Sequence, residues 1–196
     1  MSDLAARGAF AGLLHPVNQS AGPALSITTR DGLALAALTI RKGMRAEAAA
    51  RLARRHDGLA LVPGPRATTA GPLTLIGTGP ESFLAVMAGG DGDFVDEMAG
   101  LLEGVASVVD QSDGYGVLRL RGPGAVATLA KAIAIDLHPT AFGPGAAAVT
   151  NAGHINVILW QVDETPSFDL AVFRSFAGSL AHLLIESGAA GGIAIG

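Results

Sequence analysis

Residues 107–124 constrain the fold more than any other stretch of this chain. Val108 and Val109 close an apolar run, and Ser112, Asp113 and Gly114 follow it with turn chemistry. Asp bonds its own backbone and Gly tolerates positive φ. From Tyr115 to Arg121 the side chains alternate: Gly116, Leu118 and Leu120 share one face, and Tyr115, Val117, Arg119 and Arg121 share the other. That period of two marks a half-buried strand. Gly122 stops it, and Pro123 suits a first helical position, where its missing N–H costs nothing. Strand, tight turn, strand and helix are expected in that order.

The same order occurs upstream. Asp31 and Gly32 lie between β-like runs at 25–30 and 33–40, a strong hairpin cue. A helix is expected over 44–56, with Met44, Ala48, Ala49, Leu52 and Ala53 inward, Arg45, Arg51, Arg54 and Arg55 toward water, and Gly58 as its C-cap. Residues 63–72 read as a loop, 73–78 and 82–88 as strands, and Asp91 as the start of a helix running to about Glu103. In the second half, Val126, Leu129 and Ile133 give a helix face, and 136–146 a loop. Strands are expected at 147–151, 155–162 and 167–173. A last helix is N-capped by Ser175, lined by Phe176, Leu180, Leu183 and Leu184, and ended by Gly188. The period of about 80 residues is too long for a solenoid. It implies an α+β fold of two pseudo-repeated halves, 25–104 and 105–188, in one domain, each a largely antiparallel sheet with helices on one face. Residues 1–24 read as an irregular arm that Leu13 and Leu14 dock on the body. Residues 189–196 read as a flexible Gly/Ala-rich tail.

A chain of 196 residues needs no disulfide or metal to fold, and it has no Cys. This removes thiol catalysis and thiolate metal sites and is compatible with a reducing, cytoplasmic location. Neither a signal peptide nor a membrane span is expected. Hydrophobic residues make up 49% and charged residues 15%, so apolar patches are expected either against a partner or as a thrifty Ala-rich surface. The charge is dipolar: residues 1–66 hold nine bases and four acids, and the rest four bases and thirteen acids. Nucleic acid is not an expected partner, because the basic face is short and has no interleaved aromatics for base stacking.

Little in the sequence points to catalysis. His15, His56, His138, His154 and His182 are not at metal-ligand spacing. Gly122, Pro123 and Gly124, like Gly143, Pro144 and Gly145, match no phosphate fingerprint, and proline removes a donor. Asp110 and Ser112 are candidates either for stabilising the turn or for holding a ligand amine. Arg119 and Arg121 are either solvated edge charges or contacts for a partner's carboxylate. Arg174 precedes the last helix, where a cation gains nothing locally, which favours an acidic partner.

Several runs, taken in order, resemble the gamma subunit family of heterotetrameric sarcosine oxidase. They are Asp110 to Ser112, Val117 to Pro123, Leu129 to Lys131, Asp136 to Pro139, Phe173 to Ala177, and Ser179 with Leu180. Gly79 to Leu84 adds the family's Gly-Pro segment ending in an aromatic and a leucine. The resemblance covers about 60–188, is loose over 25–60 and is absent from the arm. It implies a fold like the folate-binding domain of the glycine-cleavage aminomethyltransferase. It also implies a non-catalytic subunit of a complex that oxidatively demethylates sarcosine to glycine, releases hydrogen peroxide and passes the one-carbon unit to tetrahydrofolate or releases it as formaldehyde. FAD, FMN, NAD and tetrahydrofolate are implied for the complex, none for this chain; the implied partners are larger alpha and beta subunits and a small delta subunit. The aminomethyltransferase has an acidic pair after a turn like Thr150 to His154, but the matching positions here are near Val157 and Ile158, with Asn156 the polar neighbour. Apolar side chains cannot move a proton. Asp113 stands where these families often have His. The alternative reading is a free-standing tetrahydrofolate or small-amine binding domain using Asp110, Ser112 and Arg119.

Overall fold

Both Asp-Gly turns carry the chain from one sheet to another. The computed structural model describes residues 7–19, 22–90 and 93–196. Strand β1 (Leu25–Thr29) leads into β2 (Leu33–Ile40), helix α1 (Arg45–Arg55), strands β3 (Ala67–Ala70), β4 (Leu73–Gly77) and β5 (Ser82–Ala88), and helix α2 (Phe94–Leu101). The second half repeats the series: β6 (Ala106–Asp110), β7 (Tyr115–Arg121), α3 (Ala125–Ala132), β8 (Ala147–Ala152), β9 (Ile155–Asp163), β10 (Ser167–Phe173) and α4 (Ala177–Gly188), then β11 (Ile193–Ile195). One sheet has the order β11-β1-β7-β10-β9-β8, and the other β3-β4-β5-β2-β6. Each half therefore gives its leading strand to the other half's sheet. β1 pairs antiparallel with β7, and β6 with β2.

The expected hairpin about Asp31 and Gly32 does not form, because β1 and β2 lie in different sheets; nor do β6 and β7 pair across Ser112 to Gly114. Turn chemistry bends the chain, but burial selects the partner strand. Successive residues of β2, β5, β7, β9 and β10 enter different cores. Leu118, Leu120, Val157, Leu159, Phe168, Leu170 and Val172 face α3 and α4. Ala34, Ala36, Leu38, Phe83 and Ala85 face α1 and α2. Leu35, Ile76, Leu84, Val86, Val117, Ile158, Trp160 and Ala171 fill the space between the sheets. The layers run helix, sheet, sheet, helix, so the central strands β2, β5, β9 and β10 are buried on both faces, whereas β3, β6 and β8 keep exposed positions.

Four local expectations are corrected. The loop at 63–72 contains β3, whose Ala67 N–H bonds Gly145 and whose neighbour Arg66 bridges Ala146, joining the two sheets at one edge. The last helix starts after a 3-10 turn at Arg174–Phe176; its N-cap is Phe176, without a side-chain cap, and Ser175 lies inside the turn. Phe176 is 47% exposed rather than in the core. The expected flexible tail instead carries β11, which runs parallel to β1 with Ile193 opposite Leu25 and fully buried. Two isoleucines in alternation find an open strand edge there.

In the described part of the arm Phe10 is 2% exposed, with Leu14 partly buried and Leu13 at the surface. Gly116 makes this possible, since a Cβ there would lie 2.5 Å from that of Ala9. α2 begins at Phe94; the expected start at Asp91 lies outside the described residues.

Arg51 is not simply turned to water. Its Nε donates to Glu47 at 2.8 Å, and its Nη1 donates to the carbonyls of Leu101 (3.2 Å) and Glu103 (3.0 Å), covering the negative end of α2. His56 lies beside α2, near Phe94 and Met98. Burial, reinforced by the Arg55 charge, lowers its pKa. Below the ordinary histidine value of about 6.5, the unfolded chain binds a proton that the folded chain does not. Stability should therefore fall as pH drops from 7.5 to 5.5, and His56→Gln should lessen that fall. Melting curves at the two pH values check this; equal pH dependence in both proteins counts against it.

Candidate functional site

The face of the first sheet that looks into the sandwich carries three chemically distinct rows. In the first, Thr28, Arg119, Asp169, Trp160 and Ala147 lie opposite one another across β1, β7, β10, β9 and β8. In the second, Val117, Ala171, Ile158 and Val149 are all apolar. The third brings Tyr115 against Phe173, their rings stacked with centroids 4.6 Å apart.

The polar row is closed on itself. Arg119 donates from Nε and Nη2 to the two carboxylate oxygens of Asp169, at 2.6 and 2.7 Å. Asp169 is 4% exposed. The paired, planar geometry is the strong form of this contact, and donating these hydrogen bonds to Asp169 raises the Arg119 pKa further. Arg119 is therefore paired with Asp169 rather than a solvated edge charge, with 26% of its side chain still exposed. The signal in the sequence was Asp169 itself, a lone acid in the otherwise apolar run of β10. Arg121 is exposed at the end of β7.

Asp110 and Ser112 stabilise the turn. The Ser112 N–H donates to Asp110 Oδ1 at 2.8 Å and holds that carboxyl below the usual range. Ser112 Oγ accepts from the Leu35 N–H at 3.0 Å and lies 3.4 Å from the Leu35 carbonyl. A side chain thus continues the backbone ladder from the β6–β7 crossover to β2, while the Asp110 carboxylate stays exposed at the surface.

Several openings remain among the described residues, one of about 250 Å³ beside Arg119, Asp169, Trp160 and Gln161; two others are lined by Tyr115. A groove of about 220 Å³ is lined by Ala37, Thr78, Leu84, Tyr115, Val149, Asn156 and Phe173. Burial raises the Tyr115 pKa. A larger cavity, about 440 Å³, lies where the two crossovers meet, with Arg30, Asp31, Ser112, Asp113 and Tyr115 in its wall and Arg7 and Arg174 beside them. Arg174 donates to the Arg7 carbonyl. Arg7 and Arg30 were not singled out in the sequence, because only the crossover brings them to Arg174. Among the described residues no cluster of His, Cys, Asp and Glu suits a metal, and no helix is long and apolar enough to cross a membrane. The groove offers Thr78, Asn156 and Tyr115 in an apolar setting, and the cavity is walled by guanidiniums and carboxylates. Val157 and Ile158 are buried in two different cores.

Over 140 residues, 71% of this chain and 68% of the relative, the sequence is 35% identical to sarcosine oxidase subunit gamma of an Arthrobacter species. The chain belongs to this gamma subunit family. Another gamma subunit, from Corynebacterium sp. strain U-96, is 32% identical over 157 residues, covering 77% of this chain and 76% of that one. No family model matches the chain. Among solved structures, the fold is similar to a chain of the heterotetrameric sarcosine oxidase from Corynebacterium sp. U-96 in complex with pyrrole 2-carboxylate. The TM-score is 0.79 at 24% identity, over 94% of this chain and 95% of that one. It is also similar to the glycine cleavage aminomethyltransferase T of Bartonella henselae, with a TM-score of 0.64 at 18% identity, over 88% of this chain and 48% of that one. The α+β fold with two sheet-containing halves expected of a gamma subunit is therefore the one found, and it is aminomethyltransferase-like.

Proposed function

We propose that this gamma-family chain is a non-catalytic, cytoplasmic subunit of a sarcosine-oxidase-like hetero-oligomer that demethylates sarcosine to glycine. Redox chemistry then belongs to larger alpha and beta subunits, accompanied by a small delta subunit. One observation carries the reading: the polar groups of the family-like stretch hold this chain together. Arg119 is closed on Asp169, and Asp110 and Ser112 are closed on the crossover backbone. Groups so engaged are not poised to take a proton from a substrate.

Co-expression with the oxidase subunits encoded beside it tests this. The chain is expected to co-elute with them, and the assembly to release peroxide when given sarcosine. The isolated chain is expected to release none. Elution of the chain alone, or sarcosine oxidation by the chain alone, overturns the reading.

A further inference from the structure

The cavity between the two crossovers holds an unusual charge arrangement. Arg7, Arg30 and Arg174 line it with Asp31 and Asp113, yet none of the three arginines forms an ion pair among the described residues. Asp31 instead accepts from the Thr29 hydroxyl at 2.7 Å. The Arg30 Nε is buried without a hydrogen-bond partner, and Arg30 borders both this cavity and a second one beside Arg119 and Asp169. An unmet buried donor carries the cost of desolvation with nothing in return, and a guanidinium cannot shed its charge. The net charge of the chain is −4, so this cationic spot stands against the sign of the whole.

Apolar surface adjoins it. Tyr115 lines both the cavity and the neighbouring groove. Its stacking partner Phe173 is 44% exposed, Val149 53% and Phe176 47%. Exposed aromatic surface beside unpaired arginines has the composition of an interface centre.

We propose that this site docks a segment of a neighbouring subunit, with a carboxylate received by Arg30 and Arg174 and an adjacent apolar side chain seated on Tyr115 and Phe173. The inference rests on the hetero-oligomeric reading above. Charge complementarity selects the acid, and the groove selects its apolar neighbour. A free small carboxylate satisfies the arginines but has no use for the aromatics.

The test measures affinity between the gamma chain and its co-expressed oxidase subunits for Arg30→Gln, Phe173→Ser and the control Arg121→Gln. The first two are expected to weaken assembly by about tenfold or more, with melting temperatures of the isolated chains unchanged. Arg30→Gln should also flatten the loss of affinity between low and high salt. Arg121→Gln should assemble normally. If the wild-type chain assembles and Arg30→Gln and Phe173→Ser assemble equally well, the docking site is wrong while the subunit reading stands. If the wild-type chain does not assemble, both fall. Sodium acetate titrated into the isolated chain separates the other source. Arg30-dependent acetate binding with no effect of either variant on assembly assigns the cavity to a free carboxylate and overturns the proposal.

Discussion

Trp160→Ala is expected to lower stability by about 3–5 kcal/mol, the usual range for removing a large buried aromatic. Trp160 is 4% exposed and lies in the core between the two sheets. That core is built from Leu35, Ile76, Leu84 and Val86 on one side and Val117, Ala147, Ile158 and Ala171 on the other. Several of these are small, so the indole supplies a large share of the contact, and its neighbours are poorly placed to collapse into the space it leaves. The melting temperature should fall by roughly 6–20 °C for a chain of this size. Trp160→Phe, which keeps an aromatic ring, should cost less. Urea unfolding followed by circular dichroism is the suitable readout, because this is the sole tryptophan. A loss below about 1 kcal/mol would mean that the sheets do not depend on this contact.

Asp169→Ala is the second large effect. It leaves the Arg119 guanidinium facing the sandwich interior without its carboxylate, and arginine cannot neutralise itself. Breaking a buried pair typically costs about 3–5 kcal/mol. The Arg119 side chain retains 26% exposure, so water offsets part of that, and about 2–4 kcal/mol is expected. The double change Arg119→Met with Asp169→Leu removes both charges and should recover most of the loss. Urea midpoints for the single and double variants decide this. A double variant as unstable as Asp169→Ala would show that packing, rather than the unpaired charge, sets the cost.

The alternation of β7 correctly placed Arg119 with Val117 and Tyr115 on one face. It did not reveal that this face is buried, because a period of two looks the same whether the second face meets water or another sheet. Asp110 and Ser112 were legible as turn formers, since Asp and Ser act on backbone within a few residues. The Leu35 backbone that Ser112 reaches is 77 residues away and left no local trace. Arg174 was legible as a cation out of place at the start of a helix. Its neighbours Arg7 and Arg30 were not, because nothing in their own surroundings in the chain distinguishes them. The tail was misread for a related reason: composition favoured disorder, and only the open edge of β1 gives Ile193 and Ile195 somewhere to pair.

By itself the sequence determined where the chain bends, which segments alternate or follow a helical period, that the order of elements repeats, and which family the chain resembles. These depend on backbone preferences and on residues close together along the chain. The tertiary structure decided which strand each segment pairs with, and so that each half lends its first strand to the other. It also decided that Asp169 closes on Arg119 and that three arginines meet at one cavity. Those outcomes follow from burying both faces of every central strand at once, a condition on the whole chain that no single stretch of it contains.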